Sequence, residues 1–243
     1  MNIAIQKPVS FSETGRRFNN EDSIYPGNKI IDKNNRLFLV CDGVGESKKG
    51  EAASSIACDS IGTYFRSFAE REKIFDPQFI EKSIRYAEIR FDEYIQKNPS
   101  ARGMATTLCL LYFAPEGIYF THAGDSRVYQ FRNGKIIFKT EENSSINPIR
   151  GSHLPVKTNI VQITDVLPDD EFFLCSGKVA EVWSDENLCK LFSTKLSSEE
   201  KINTIKEHCW NNALDNYSAY LIPIQEVDKI NVFKQIFLYA FMY

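Results

Sequence analysis

The run Phe38-Leu39-Val40-Cys41, followed at once by Asp42-Gly43-Val44-Gly45, constrains this chain more than any other stretch. A short apolar run bounded by turn formers predicts a buried strand. A carboxylate at the mouth of such a strand loses hydration and is costly unless something pairs it, and a bound cation is a common partner. Glycines at 43 and 45 let the backbone turn tightly, so that a main-chain carbonyl can join the carboxylate as a second oxygen donor. The same residues also describe an ordinary Asp-Gly turn, and the rest of the chain has to decide between the two.

With 243 residues, 43% of them hydrophobic and 25% charged, the chain is long enough for one sizeable core. Its net charge is -3 and no Lys/Arg cluster alternates with aromatics, which argues against nucleic acid as a partner. A phosphate site would have to be local. Six cysteines (Cys41, Cys58, Cys109, Cys175, Cys189, Cys209) lack C-x-x-C spacing. They predict small buried thiols in a reducing compartment, with neither a zinc cluster nor a disulfide framework. Residues 1–8 lack the apolar segment of a signal peptide, and no run approaches the ~20 apolar residues of a membrane span. The expectation is a cytoplasmic protein with no transmembrane segment.

Along the chain, residues 2–11 predict a first strand and 12–20 a polar connection ending in Arg16-Arg17 and the acidic pair Glu21-Asp22. An arginine fork suits two phosphate oxygens, and Asp22 suits a metal-held water; a solvated salt-bridged loop is the plain alternative. Ser23–Tyr25 predicts another short strand. Apolar residues at Ala53, Ile56, Ala57, Ile61, Tyr64, Phe65 and Phe68 give Gly50–Glu70 a helical face, and Ile80, Ile84, Ala87, Phe91 and Tyr94 continue a second helix from Asp76-Pro77 to Asn98-Pro99. Four short strands follow at 106–113, 117–122, 127–132 and 135–138, the last two joined by the hairpin signal Asn133-Gly134. Residues 140–158 read as a loop, and 159–164 and 171–175 as strands. Ser184 and Ser197 cap two helices, the second running to about Asn211, and Asp215 opens a last strand through Ile224. No repeat or linker is visible, so one domain over 1–225 is the simplest count.

The ordered set Arg17-x-x-x-Glu21-Asp22, Asp42-Gly43-x-Gly45, Gly50-Glu51-x-Ala53-Ser54, Thr106-Thr107, Gly124-Asp125-Ser126-Arg127, Leu174-Cys175-Ser176 and Asp215-Asn216 resembles the metal-dependent type 2C protein phosphatases over about residues 9–225. The resemblance implies an α+β fold, a four-layer α/β/β/α sandwich of two antiparallel sheets flanked by helix pairs, with a binuclear Mg or Mn site at one end. By the same resemblance Asp42 would bridge two ions, the Gly43 carbonyl would complete one site and Asp215 the other. Asp125 would serve a third, weaker ion, Glu21 and Asp22 would order metal-held water, and Arg17 would hold the phosphate of a phosphorylated protein substrate. Two hard cations sharing a water lower its pKa and aim it at phosphorus, which implies direct hydrolysis of phosphoserine or phosphothreonine.

This chain departs from that pattern in three places. Gly177 stands where the family places a further metal aspartate, which weakens the second ion site, with Lys178 beside it as a repelling cation and Glu181 or Glu46 as substitutes acting through water. Gly45-Glu46-Ser47 replaces a Gly-Gly-His turn whose histidine would protonate the leaving alkoxide. The stretch between Thr140 and Asn159 lacks room for the helical flap of many members, and Glu141-Glu142-Asn143 replaces an acidic-histidine signature. Two functions stay open: a working phosphatase with a reduced metal set, or a pseudophosphatase that binds a phosphoprotein or regulatory partner. The apolar tail 226–243 has helical spacing and predicts either packing on its own domain or an exposed patch for a partner, a second subunit or a membrane surface.

Overall fold

A computed structural model describes residues 1–44, 49–68, 76–140 and 148–228. The predicted apolar tail beyond Asp228, the Glu46-Ser47 turn and the 141–147 stretch lie outside the described residues.

The strands form two antiparallel sheets. One runs β1 (Asn2–Ile5), β11 (Tyr217–Asp228), β10 (Glu171–Cys175), β7 (Arg127–Arg132), β8 (Lys135–Lys139), with β2 (Val9–Glu13) also pairing β11. The other runs β3 (Asp22–Tyr25), β4 (Leu37–Asp42), β5 (Leu108–Ala114), β6 (Gly117–Ala123), β9 (Val161–Ile163). The alternation of side chains along β4 explains the layering. Leu37, Leu39 and Cys41 face the helices α1 (Gly50–Phe68) and α2 (Gln78–Lys97), while Phe38 and Val40 face Phe172, Leu174, Tyr220 and Ile222 of the opposite sheet. The outer face of that opposite sheet, including Phe173, Ala219 and Leu221, is covered by α3 (Gly177–Val182), α4 (Asp185–Phe192) and α5 (Ser198–Asn212). The result is the expected four-layer α/β/β/α sandwich.

Local chemistry sets the element ends. The Asp76 carboxylate accepts the Gln78 N–H at 2.9 Å where α2 begins, Ser184 accepts the Asn187 N–H, and Ser197 and Glu200 form a reciprocal cap on α5. Asn133 and Gly134 both take positive φ, 50° and 74°, as the two-residue hairpin between β7 and β8 requires.

Three expectations need correction. The single first strand over 2–11 is two strands broken around Lys7-Pro8, because proline cannot donate to a ladder; β2 also takes in Ser12 and Glu13, placed above in the connection. The last strand runs to Asp228, past Ile224, since its continuation pairs with β1. The short helix α3 is too brief, and opens on too weak a helix former, to show in the pattern. On α1, Ala53, Ala57, Ile61 and Phe65 are buried as predicted, whereas Phe68 is exposed at the helix end.

Candidate metal and phosphate site

Asp42 is the last residue of β4, and the β3–β4 register puts Asp22 directly opposite it. Directly opposed side chains in an antiparallel pair stand within about 5.5 Å at Cβ, so like charges there repel. Asp22 is only 6% exposed, and neither of its carboxylate oxygens has a hydrogen-bond partner of sound geometry. Burial pushes its carboxyl up to about 7, against the pull of the nearby Ser218 and Ser176 hydroxyls. Burial, then the charges of Asp22, Asp125 and Asp215, pushes the Asp42 carboxyl up to about 9.

The backbone of Asp42 is clamped by the two threonines just before β5. Its N–H donates to Thr107 Oγ1 at 3.0 Å, and its carbonyl accepts the Thr107 N–H at 2.8 Å and the Thr106 hydroxyl at 2.9 Å. Gly43 continues the pairing: its N–H donates to the Glu21 carbonyl at 3.0 Å. A Cβ on Gly43 would lie 2.4 Å from the Gly50 carbonyl oxygen, so the close seating of α1 on this turn requires glycine. The Glu21 side chain borders Gly50, where burial, with Glu51 adding to it, pushes its carboxyl above the ordinary range.

Asp215 enters just before β11. Arg17 grips it with both arms of its fork, Nε to Oδ1 at 2.8 Å and Nη2 to Oδ2 at 2.7 Å. Burial alone would raise the Asp215 carboxyl; the Arg17 hydrogen bonds, the Asn216 N–H and the charges of Arg17 and Lys178 bring it below its ordinary value. Asn216 fastens the 14–21 loop to the site, donating to the carbonyls of Thr14 and Asn19 and accepting the Glu21 N–H.

Asp42, Asp125 and Asp215 line one open cleft of about 430 Å³ together with Arg150, Lys178 and Glu181. Lys178 is ion-paired to Glu181, so its charge is largely neutralised within the cleft wall. A roomier hollow of about 680 Å³ beside α2 is lined by groups already paired, such as Arg85 with Glu88 at 2.7 Å.

The structure thus brings Asp22, Asp42, Gly43, Glu21, Asp125 and Asp215 to one end of the sandwich, and commits Arg17 to Asp215. The donor set suits a hard cation: every donor is oxygen, several are carboxylates, and two buried oxygens of Asp22 have no partner. Among the described residues no three acidic, imidazole or thiol groups converge on one point. Sequence reasoning missed three supporting parts: the Thr106-Thr107 clamp, the Asn216 anchor and the opposition of Asp22 to Asp42. Only the first two left a signal, as polar residues at strand mouths.

Residues 15–176 match the family model described as Protein phosphatase 2C. The serine/threonine protein phosphatase PstP of Mycobacterium tuberculosis is 22% identical over 233 residues, covering 87% of this chain and 43% of the relative. Protein phosphatase PhpP of Streptococcus pneumoniae is 23% identical over 240 residues, covering 88% of this chain and 95% of the relative. A crystal structure of the mycobacterial PstP superposes with a TM-score of 0.76 at 20% identity over 91% of this chain and all of that one. Another of its catalytic domain, in complex with two manganese ions, gives 0.73 at 21% identity over 91% of this chain and 99% of that one. The chain therefore spans less than half of the full mycobacterial relative.

Proposed function

This chain belongs to the protein phosphatase 2C family, and from that membership we propose that it hydrolyses phosphoserine and phosphothreonine esters of proteins with Mg or Mn. The observation that carries the reading is the opposed pair Asp22 and Asp42, with both Asp22 oxygens buried and unpartnered. Two carboxylates in that position repel one another unless a proton or a cation lies between or beside them, and their raised values mark the pair as one that a cation would relieve.

Bound there, the cation supplies a Lewis acid that acidifies water and neutralises phosphoryl oxygens. Asp42 with the Gly43 carbonyl would hold one cation and Asp42 with Asp215 another, with Asp22 and Glu21 positioning water. Asp42 is kept in place by the Thr106-Thr107 clamp, so its carboxylate need not reorganise during turnover. Arg17 is the phosphate anchor; releasing its fork from Asp215 frees two parallel donors for two phosphoryl oxygens. Arg150 on the same cleft adds positive charge toward a phosphorylated peptide. The free and mostly buried cysteines fit a reducing, cytoplasmic setting, and among the described residues no helix is long and apolar enough to cross a membrane.

The test is an assay of the purified chain with Mn and then Mg, on a phosphothreonine peptide and on an aryl phosphate. Expected is turnover that a chelator and Asp42→Ala both abolish, with the aryl ester favoured because among the described residues no histidine lines the cleft to protonate a poor leaving group. Absence of turnover on both substrates with either ion would favour the pseudophosphatase.

A further inference from the structure

Gly177 replaces the expected metal aspartate, yet the space above it is filled. A Cβ on Gly177 would stand 2.1 Å from Asp125 Oδ2, 2.3 Å from its Cγ and 2.6 Å from its Oδ1. Non-bonded carbon and oxygen do not approach so closely, so the Asp125 carboxyl occupies the volume where a side chain at 177 would begin. Of the two acids named above as substitutes, Glu181 is paired with Lys178 and Glu46 lies outside the described residues. Asp125 lies on the same cleft as Asp42 and Asp215, and the unpartnered Asp22, 6% exposed, backs Asp42 from the other strand.

Resting on the metal-dependent reading above, we propose that Asp125 supplies the carboxylate that residue 177 lacks: the carboxylates of Asp42, Asp125 and Asp215, which line one cleft without converging, would close on the cation when it binds. Glycine at 177 is then a requirement of the site and no mark of decay. Any larger residue would push Asp125 out of the ligand position. The loss at one position and the new role at the other are one change.

Calorimetric titration of Mn²⁺ into the chelator-stripped full chain, with Mn²⁺ paramagnetic resonance as a second count of bound ions, tests this without reference to turnover. Asp125→Ala is expected to weaken one cation by about 10-fold, the scale on which loss of a supporting ligand acts. Gly177→Ala adds only a methyl group, yet is expected to weaken the same cation as much, because the methyl takes the place of the Asp125 carboxyl. The double variant should be no weaker than either single, since both remove the same ligand. Asp125→Ala combined with Gly177→Asp should bind within about 2-fold of wild type, and because it relieves the clash it keeps the test decisive should Gly177→Ala fold poorly. Wild-type affinity in Gly177→Ala, or additive losses in the double variant, would overturn the assignment of Asp125 alone. A wild-type chain that binds no Mn²⁺ would overturn the metal-dependent reading, and the assignment with it.

Discussion

At the scale of single residues, the opposition of Asp22 to Asp42 is the strongest conflict in the chain, because burial and like charge act on the same two carboxyls. Asp22→Asn keeps the shape, removes one charge, and gives Asp42 an amide donor. In chelator it should therefore raise the melting temperature by about 2–4 °C, the shift that ~1 kcal/mol gives in a chain of this size. With Mn²⁺ present the sign should reverse, the variant gaining less from the ion than wild type does; calorimetric melts with and without Mn²⁺ measure both. Asp42 was legible in the sequence because it ends an apolar run. The burial of Asp22 was not, since it follows from a strand register that joins residues far apart in sequence. Gly177 showed only as a missing acid, because a glycine carries no trace of which neighbour fills its place.

At the scale of elements, β4 presents Asp42, and Thr106 and Thr107 at the entry to β5 hold it, while β10 is bound to its covering helix by Glu171 and Lys201 at 2.7 Å. Both of those side chains are largely buried, and burial pushes the Glu171 carboxyl above its ordinary value despite the pull of Lys201. The folded chain then holds that proton more tightly than the unfolded chain. Between the ordinary glutamate value of about 4.3 and the raised folded one, its contribution to stability must fall as pH rises. Urea unfolding of wild type and Glu171→Gln in chelator, from acid to neutral pH, should show wild type losing ground to the variant as pH increases; a gap that moved the other way would mean that Lys201 outweighs burial. Helices α1, α2 and α5 were legible through periodicity and caps, as were the hairpin strands through Asn133-Gly134. The break at Lys7-Pro8 and the short α3 were not, because the signal in each case is only a few residues long.

At the scale of the whole molecule, the core between the sheets carries the load. Phe38 meets Tyr220 at 5.4 Å and Phe113 at 5.9 Å between ring centroids and has no exposed surface. Phe38→Ala should cost about 3–5 kcal/mol in denaturant unfolding, while Mn²⁺ affinity of the folded protein stays within about 2-fold, because the Asp42 backbone is held by Thr106 and Thr107 and not by this ring. The layered architecture was legible only through the family resemblance, since strand order depends on contacts no local pattern records. One such contact is the place of β11, which lies between β10 on one side and β1 and β2 on the other. On the ribosome Asp22, Asp42 and Asp125 are made first, but β1 and β2 have no neighbour in their sheet until β11 emerges. Arg17 likewise lacks its carboxylate, and the Glu21 N–H its acceptor, until Asp215 and Asn216 have been added. On the metal-dependent reading, cation capture and closure of this sheet both wait for Asp215 and β11, so a chain clipped before Asp215 is expected to have no partial activity to release.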